Sequence, residues 1–348
     1  MADRHQDGKM RTTDSGFPDP RTPIDVVIAW VDGDDPKLAE KRSRYLPGNR
    51  ITTSSGAHST RFASSNEIRY CVLSILRFAP FVRNIFIVTD EQDPGIDGVV
   101  RNYFPDRAES VRIVDHREIF EGFEKHLPTF NSISIANMIW RIRGLSDNFV
   151  YFNDDTFLVR PLKPEDWFIN GRPVMRGKWV PAPLPRELWN HGRAFLQRKL
   201  LGNKSFEPRA SFHAAQWNAA VKLGYRFRYF TNAHTPHAVS KTSVAQYLGS
   251  KITILERNIS FRFRDYSQFT FIALANHLQL LDGNRNIARP DLVYLKPVNR
   301  PEAYIEEKIR HCESNQDIKF MCAQSLDMCP VSYQERLYGW LEKVMQLE

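Results

Sequence analysis

Four apolar runs in the first half of the chain each stop at an acidic residue, and this arrangement constrains the fold more than any other feature. Residues 24–31 (IDVVIAWV) run into Asp32, Asp34 and Asp35, and residues 84–89 (NIFIVT) into Asp90. Residues 110–114 (SVRIV) run into Asp115 and His116, and residues 148–152 (NFVYF) into Asn153, Asp154 and Asp155. Short, uninterrupted, β-branched runs are the pattern of strands buried on both faces of a parallel sheet. Helical patterns lie between them. Ser64 or Ser65 is placed to cap a helix with Ile68, Cys71, Val72, Ile75 and Leu76 on its apolar face, ending before Pro80. Residues 132–144 put Ile135, Met138, Ile139 and Ile142 on one face and close at Gly144. Strand, helix, strand, strand, helix, strand predicts an α/β fold with a mostly parallel, doubly wound sheet.

The rest of the chain is arranged around that core. Residues 1–22 are polar and expected to be disordered, and without an apolar h-region they are not a secretory signal. Residues 36–45 form a short charged helix, and the Gly-, Ser- and Thr-rich stretch 47–60 is a flexible loop that could serve as a lid. An α/β core is expected over 23–180, left through the Pro-rich stretch 181–185. A more helical part, 181–348, has helices over 187–201, 212–223, 241–248, 266–281 and 334–346 and completes the active site. No run of eighteen apolar residues predicts a transmembrane helix. The protein is expected to be cytoplasmic, or peripheral at the inner face of the membrane. The formal net charge of +8 favours anionic partners, but there is no dense Lys/Arg run and no nucleic-acid module, so nucleic acid is not among them. Cys312, Cys322 and Cys329 with His311 match no C-x2-C spacing, so reduced thiols are expected over a zinc site.

In an open parallel sheet ligands bind outside the carboxyl ends of the strands. If the four strands are parallel, their acids share one rim, and oxygen ligands suit a hard cation such as Mg2+ or Mn2+ that also binds phosphate. Asp90 and Asp115 are more simply turn formers and caps; adjacent Asp154 and Asp155, after a wholly apolar strand, point to metal or phosphate chemistry. His234 and His237 flank Pro236 in AHTPH; either could ligate a metal, act as a general base or brace a loop. Arg262 and Arg264 alternate with Phe261 and Phe263, so an extended backbone would put both on one face, for gripping phosphate or for surface ion pairs. By position alone, Glu67 and Arg69 are a capping acid and a helix-surface base. With no P-loop, GxGxxG or GxSxG, ATP-dependent kinase, Rossmann oxidoreductase and α/β-hydrolase chemistry are disfavoured.

The residues also carry a family resemblance. IDVVIAWVDGDDP, the long stretch 61–166 with NEIRYCVLSILRFAPFVRNIFIVTDEQDP, LPTFNSISI and GLSDNFVYFNDDTFL, and AHTPHAVSK with FRFRD resemble the Stealth family. A weaker match starts at DIKFMCAQSLD. The family holds hexose-1-phosphate transferases of capsular and exopolysaccharide synthesis and the lysosomal-targeting N-acetylglucosamine-1-phosphotransferase. The resemblance implies a nucleotide-sugar-transferase-like fold and transfer of hexose 1-phosphate from a UDP-sugar to an oligosaccharide or polysaccharide hydroxyl, with UMP released. It places Asp32, Gly33, Glu67 and Arg69 around the nucleotide sugar, and Asn131 and Ser132 near donor or acceptor. Asp154 and Asp155 would hold the divalent ion or organise the diphosphate, His234 would be the base, and Arg264, with Arg262, would stabilise phosphate charge. His237 is grouped with the substrate-binding residues. Two positions depart from the family pattern: Ala136 stands where members often carry Glu, and Gln324–Ser325 where Asn-Asp is common. A metal-dependent glycosyltransferase releasing UDP and a catalytically impaired glycan- or nucleotide-binding protein stay open as alternatives.

Overall fold

The computed structural model describes residues 22–46, 66–199, 208 and 210–347. Residues 1–21 of the expected tail, the expected lid at 47–60 and the caps Ser64 and Ser65 lie outside the described residues. The strands are β1 (Ile24–Ala29), β2 (Val82–Thr89), β3 (Val111–Asp115), β4 (Asn148–Asn153), β5 (Thr156–Leu158), β6 (Phe168–Ile169), β7 (Arg172–Pro173), β8 (Met175–Pro181), β9 (Arg228–Asn232), β10 (His237–Ser240), β11 (Ile287–Ala288), β12 (Leu292–Leu295) and β13 (Phe320–Ala323). The helices are α1 (Pro36–Ser43), α2 (Glu67–Phe78), α3 (Asp97–Tyr103), α4 (His116–Ile119), α5 (Ser132–Ala136), α6 (Leu184–Lys199), α7 (Phe212–Lys222), α8 (Lys241–Ser250), α9 (Ile252–Ile259), α10 (Phe271–Leu281), α11 (Glu302–Ser314) and α12 (Val331–Met345).

The main sheet has the order β10-β4-β1-β2-β3. β1 pairs in parallel with β2 and β4, and β2 with β3, so the four expected strands are the four parallel ones. The apolar runs of β1, β2 and β4 are long because each face of the sheet has its own core. Val26, Ile28, Ile85, Ile87, Val150 and Phe152 point into one, and Val27, Phe86, Val88, Phe149 and Tyr151 into the other. α2 covers the first face with Ile68, Cys71, Val72, Ile75 and Leu76, while α10 packs its Phe271, Ala273 and Leu274 into the second. This is a doubly wound α/β sheet. The antiparallel edge strand β10 comes from the second half of the chain.

Two further three-stranded sheets flank it, ordered β12-β13-β5 and β11-β8-β9, and β6 and β7 pair as a two-stranded antiparallel ribbon. The chain passes from the main sheet to the first of these through Asp154–Asp155, between β4 and β5. It returns from the second through 233–236, between β9 and β10. Both crossings end at the carboxyl rim of the parallel strands.

Three local expectations are corrected. The helix 132–144 is broken into α5 and a 3-10 turn at Ile139–Arg141. Asn137 ends α5 by returning its amide to the Ile133 carbonyl at 2.8 Å, and its own carbonyl is taken by the Trp140 indole N–H at 2.9 Å. The helix expected from 266 starts only at Phe271, because Asp265 holds Ser267 N–H in a side-chain turn at 2.8 Å. The first residue before α2 is Asn66, in a left-handed conformation (φ 65°) and without a side-chain capping bond.

Candidate functional site

The turn Asp154–Asp155 is fixed from below, since the Asp155 carbonyl accepts from Ala323 N–H at 2.9 Å. Protein crowds both carboxyls although each keeps some exposure. Burial, then repulsion from Asp155 and from Glu67, pushes Asp154 well above the usual carboxylate range. Asp155 is raised by burial, opposed by the positive charge available at His234 and by hydrogen bonds from the Thr156 hydroxyl (3.3 Å) and the Cys322 thiol. Glu67, only 6% exposed, brings the third acid from the first turn of α2, and Tyr338 of α12 shares its field with Asp154.

His234, on the crossing between β9 and β10, lies within the electrostatic reach of Asp155. Its ring stacks on Phe212 at 5.5 Å and lies tilted against Tyr294 at 5.0 Å. Burial lowers its pKa and the Asp155 charge acts against that. The imidazole is therefore neutral at neutral pH and can take a proton. Phe212 is the first residue of α7, which Ser211 caps; Tyr294 lies on β12 and donates its hydroxyl to Gln324 Oε1. Phe212 and Tyr294 were not singled out in the sequence. A helix starting at 212 was expected, but nothing in the spacing tied either ring to His234.

Arg264 comes in from the other side. Its Nη2 donates to Ser132 Oγ at 2.6 Å, and its charge bears on Tyr151 beside Asp154. Arg262 takes a different direction: it donates to the Leu127 carbonyl at 3.3 Å and stacks on Tyr45 at 4.6 Å. The segment is a pair of bends, so the two arginines do not share a face as an extended strand would require. Asn131 is fully enclosed. Its oxygen caps Ile133 N–H at 3.1 Å, and its amide donates to Phe261 O (3.0 Å) and Gln268 Oε1 (2.8 Å), so it ties the Arg-bearing loop to α5. His237 likewise braces the loop. Its Nε2 pairs with the Ala233 carbonyl at 3.1 Å, and burial drives its pKa down to about 3, leaving it neutral.

After β1, Asp32 and Gly33 enter a turn in which Asp32 Oδ1 accepts from Asp34 N–H at 3.0 Å. Gln92 clamps this turn, accepting from Asp32 N–H (3.0 Å) and donating to Asp32 O (2.8 Å) and Asp35 Oδ2 (2.9 Å). Arg69 lies over the Tyr70 ring at 5.6 Å with its Nε buried. Asp115 caps α4, the role expected of it, whereas Asp90, expected as a turn former or cap, pairs with Lys41 at 2.8 Å.

Among the described residues no three His, Cys, Asp or Glu side chains form a ready-made metal cage, and the four cysteines are free thiols. Mg2+ and Mn2+ do not require such a cage, since one or two carboxylates with substrate phosphates and water suffice. Asp154 and Asp155 fit that donor set, because the crowding that raises their proton affinity is crowding a cation would relieve.

Residues 22–50 match Stealth protein conserved region 1 and residues 61–174 match conserved region 2. The chain thus carries conserved regions 1 and 2 of the Stealth family. The conserved regions run from β1 through β7 and contain Asp32, Glu67, Ser132, Asp154 and Asp155, whereas His234, Arg264 and Tyr294 lie beyond them. An exopolysaccharide phosphotransferase of Streptomyces coelicolor is 39% identical over 168 residues, 48% of this chain and 27% of that protein. A second from the same organism is 30% identical over 260 residues, 73% of this chain and 25% of that one. A capsular polysaccharide phosphotransferase of Streptococcus pneumoniae is 29% identical over 283 residues, 77% and 81% of the two chains. The chain thus spans about a quarter of the length of the two Streptomyces proteins it matches. Among solved structures, a galactosyltransferase with donor and acceptor sugar analogues aligns over 92% of this chain and 95% of its own, at 10% identity and a TM-score of 0.41. A likeness that distant says nothing of activity.

Proposed function

We propose that this protein is a sugar-1-phosphate transferase of the Stealth family, moving hexose 1-phosphate from a UDP-sugar to a glycan hydroxyl in capsular or exopolysaccharide synthesis. The observation that carries the reading is that Asp155 and His234, from opposite halves of the chain, lie near enough at the carboxyl rim of the parallel sheet for their charges to act on each other. The phosphotransferase names of its relatives support the same chemistry. The acceptor oxygen forms a bond to the sugar-bearing phosphorus while the bond from that phosphorus to the UMP oxygen breaks. His234 takes the acceptor's proton. Arg264, held by Ser132, neutralises phosphate charge, and Asp154 and Asp155 hold Mg2+ or Mn2+, which supplies charge neutralisation at the diphosphate. Asp32, Gly33, Glu67 and Arg69 line the donor side. In this reading 23–180 carries the donor and cation, and 181–348 brings the base and the acceptor side. The protein works in the cytoplasm, at the inner face of the membrane.

Phosphorus NMR of products from a panel of UDP-sugars and an oligosaccharide primer tests the reading. A phosphodiester with one UMP per transfer is expected. Release of UDP would make the protein a glycosyltransferase instead, and donor binding without turnover a binding protein.

A further inference from the structure

The helix α6 is turned the wrong way round for a helix on a soluble face. The positions it turns toward the protein are Glu187, Asn190 and Gln197, all half-buried, together with buried Ala194. Glu187 is held there by the Tyr266 hydroxyl. Its outward positions are Leu184 (47% exposed), Leu188 (73%), Trp189 (70%), Phe195 (62%) and Leu196 (45%). At roughly 100° per residue these five fall on one arc about 140° wide. Arg193 and Arg198, both exposed, fall on its two borders, and Lys199 lies within it at the C-terminal end of the helix. Leaving that much aromatic and aliphatic surface in water is unfavourable at about 25 cal/mol per Å2, so the arc calls for something to cover it.

We propose that α6 lies in the interface of a bilayer bearing anionic lipid headgroups. Charge decides between that surface and a second copy of this chain. Residues 184–199 carry four basic residues (Arg186, Arg193, Arg198, Lys199) against one acidic (Glu187), and the whole chain is +8. Two such faces brought together would set basic borders against each other, whereas an anionic surface meets them with opposite charge. An apolar arc of Trp, Phe and Leu bordered by Arg is the form of a helix that inserts shallowly and in plane. Among the described residues no helix is long and apolar enough to cross a membrane, so the contact is peripheral. The placement connects to the site. Tyr266, which holds α6, is two residues from Arg264, so an acceptor borne on the membrane would arrive on the Arg264 side. The binding itself rests on the surface of α6 and not on the phosphotransferase reading.

Sedimentation of the whole chain with vesicles tests it without any turnover. Binding to mixed phosphatidylglycerol–phosphatidylcholine vesicles is expected, with little to pure phosphatidylcholine and a fall as salt rises. The triple variant L188S/W189S/F195S should lose about tenfold or more in partitioning. R193Q/R198Q/K199Q should lose about tenfold and most of the salt dependence. Since the changed side chains are exposed, circular dichroism and the thermal midpoint should hold. Slower hydrogen exchange of residues 184–199 in the unmodified chain on adding anionic vesicles gives a second readout that needs no variant. No binding to anionic vesicles, binding by both triple variants as strong as that of the unmodified chain, or a dimer in analytical ultracentrifugation that L188S/W189S/F195S dissolves would each overturn the proposal.

Discussion

Asp25 and Asp154 lie at opposite ends of the parallel strands and are treated in opposite ways. Asp25 is fully buried, and donors surround it: Arg83 at 2.9 and 2.6 Å, Asn84 N–H at 3.1 Å and Ser146 N–H at 2.7 Å. Asp154 has Asp155 and Glu67 as its charged neighbours and is pushed upward. A folded carboxyl raised above its unfolded value binds protons more tightly in the native state, so its contribution to stability falls as pH rises from the ordinary carboxylate range to the raised one. Asp154→Asn should therefore abolish transfer yet raise the stability of metal-free protein at pH 8 by about 1 kcal/mol. Thermal melts in EDTA check this, and the gain should shrink at pH 5 and on adding Mg2+. His234→Ala should cut turnover by about 10^2- to 10^4-fold, the usual range for a general base, with donor affinity retained. The rate should fall on the acid side for two reasons: His234 is protonated only below its ordinary value, and the Asp pair takes up protons above its own. Excess Mg2+ should move the carboxylate limb of the pH profile to lower pH and leave the His234 limb in place. Asp154 and Asp155 were legible in the sequence because a strand end is a local signal. The packing of His234 on Phe212 and Tyr294 within the field of Asp155 was not, since it depends on where three sheets meet.

At the level of elements, β1, β2 and β4 stood out because their central residues are buried on both faces, and the edge strand β3, exposed at Arg112 and Ile113, was correspondingly the fainter run. The short β5, β6, β7, β11 and edge strand β10 offered no such run. Their pairing is decided by what lies beside them. The helices failed where side chains outcompete the backbone, at Asn137 and at Asp265, and a periodic apolar pattern cannot report that competition. Between these two breaks sits Gln268, fully buried. It donates to Asn258 O (2.6 Å) and Ser134 Oγ (3.2 Å) and accepts from Asn131 Nδ2 (2.8 Å) and Asp265 N–H (2.9 Å). Gln268→Leu would leave several buried groups without partners, each worth about 1–3 kcal/mol, so a loss of about 3 kcal/mol is expected in urea unfolding. Turnover should fall as well, because this knot holds the loop of Arg264 against α5.

Across the whole molecule, the last part of the chain closes the first. β12 and β13 extend the sheet that begins at β5, and α12 packs Leu337, Tyr338, Trp340, Leu341 and Met345 into the same core as α2. A chain ending before Asp291 should therefore fail to fold cooperatively, with no sharp thermal transition by calorimetry. Such long-range closure leaves little trace in local sequence, whereas the doubly wound core it closes was plain from the strand order. The two crossings, at Asp154–Asp155 and at 233–236, are both short and both anchored at each end by strands of different sheets. Neither the acid pair nor the imidazole hangs on a loop that can relax by itself. Their separation is a dimension of the frame, and heating should not inactivate the protein ahead of melting it: catalytic loss and collapse of the core belong to one event.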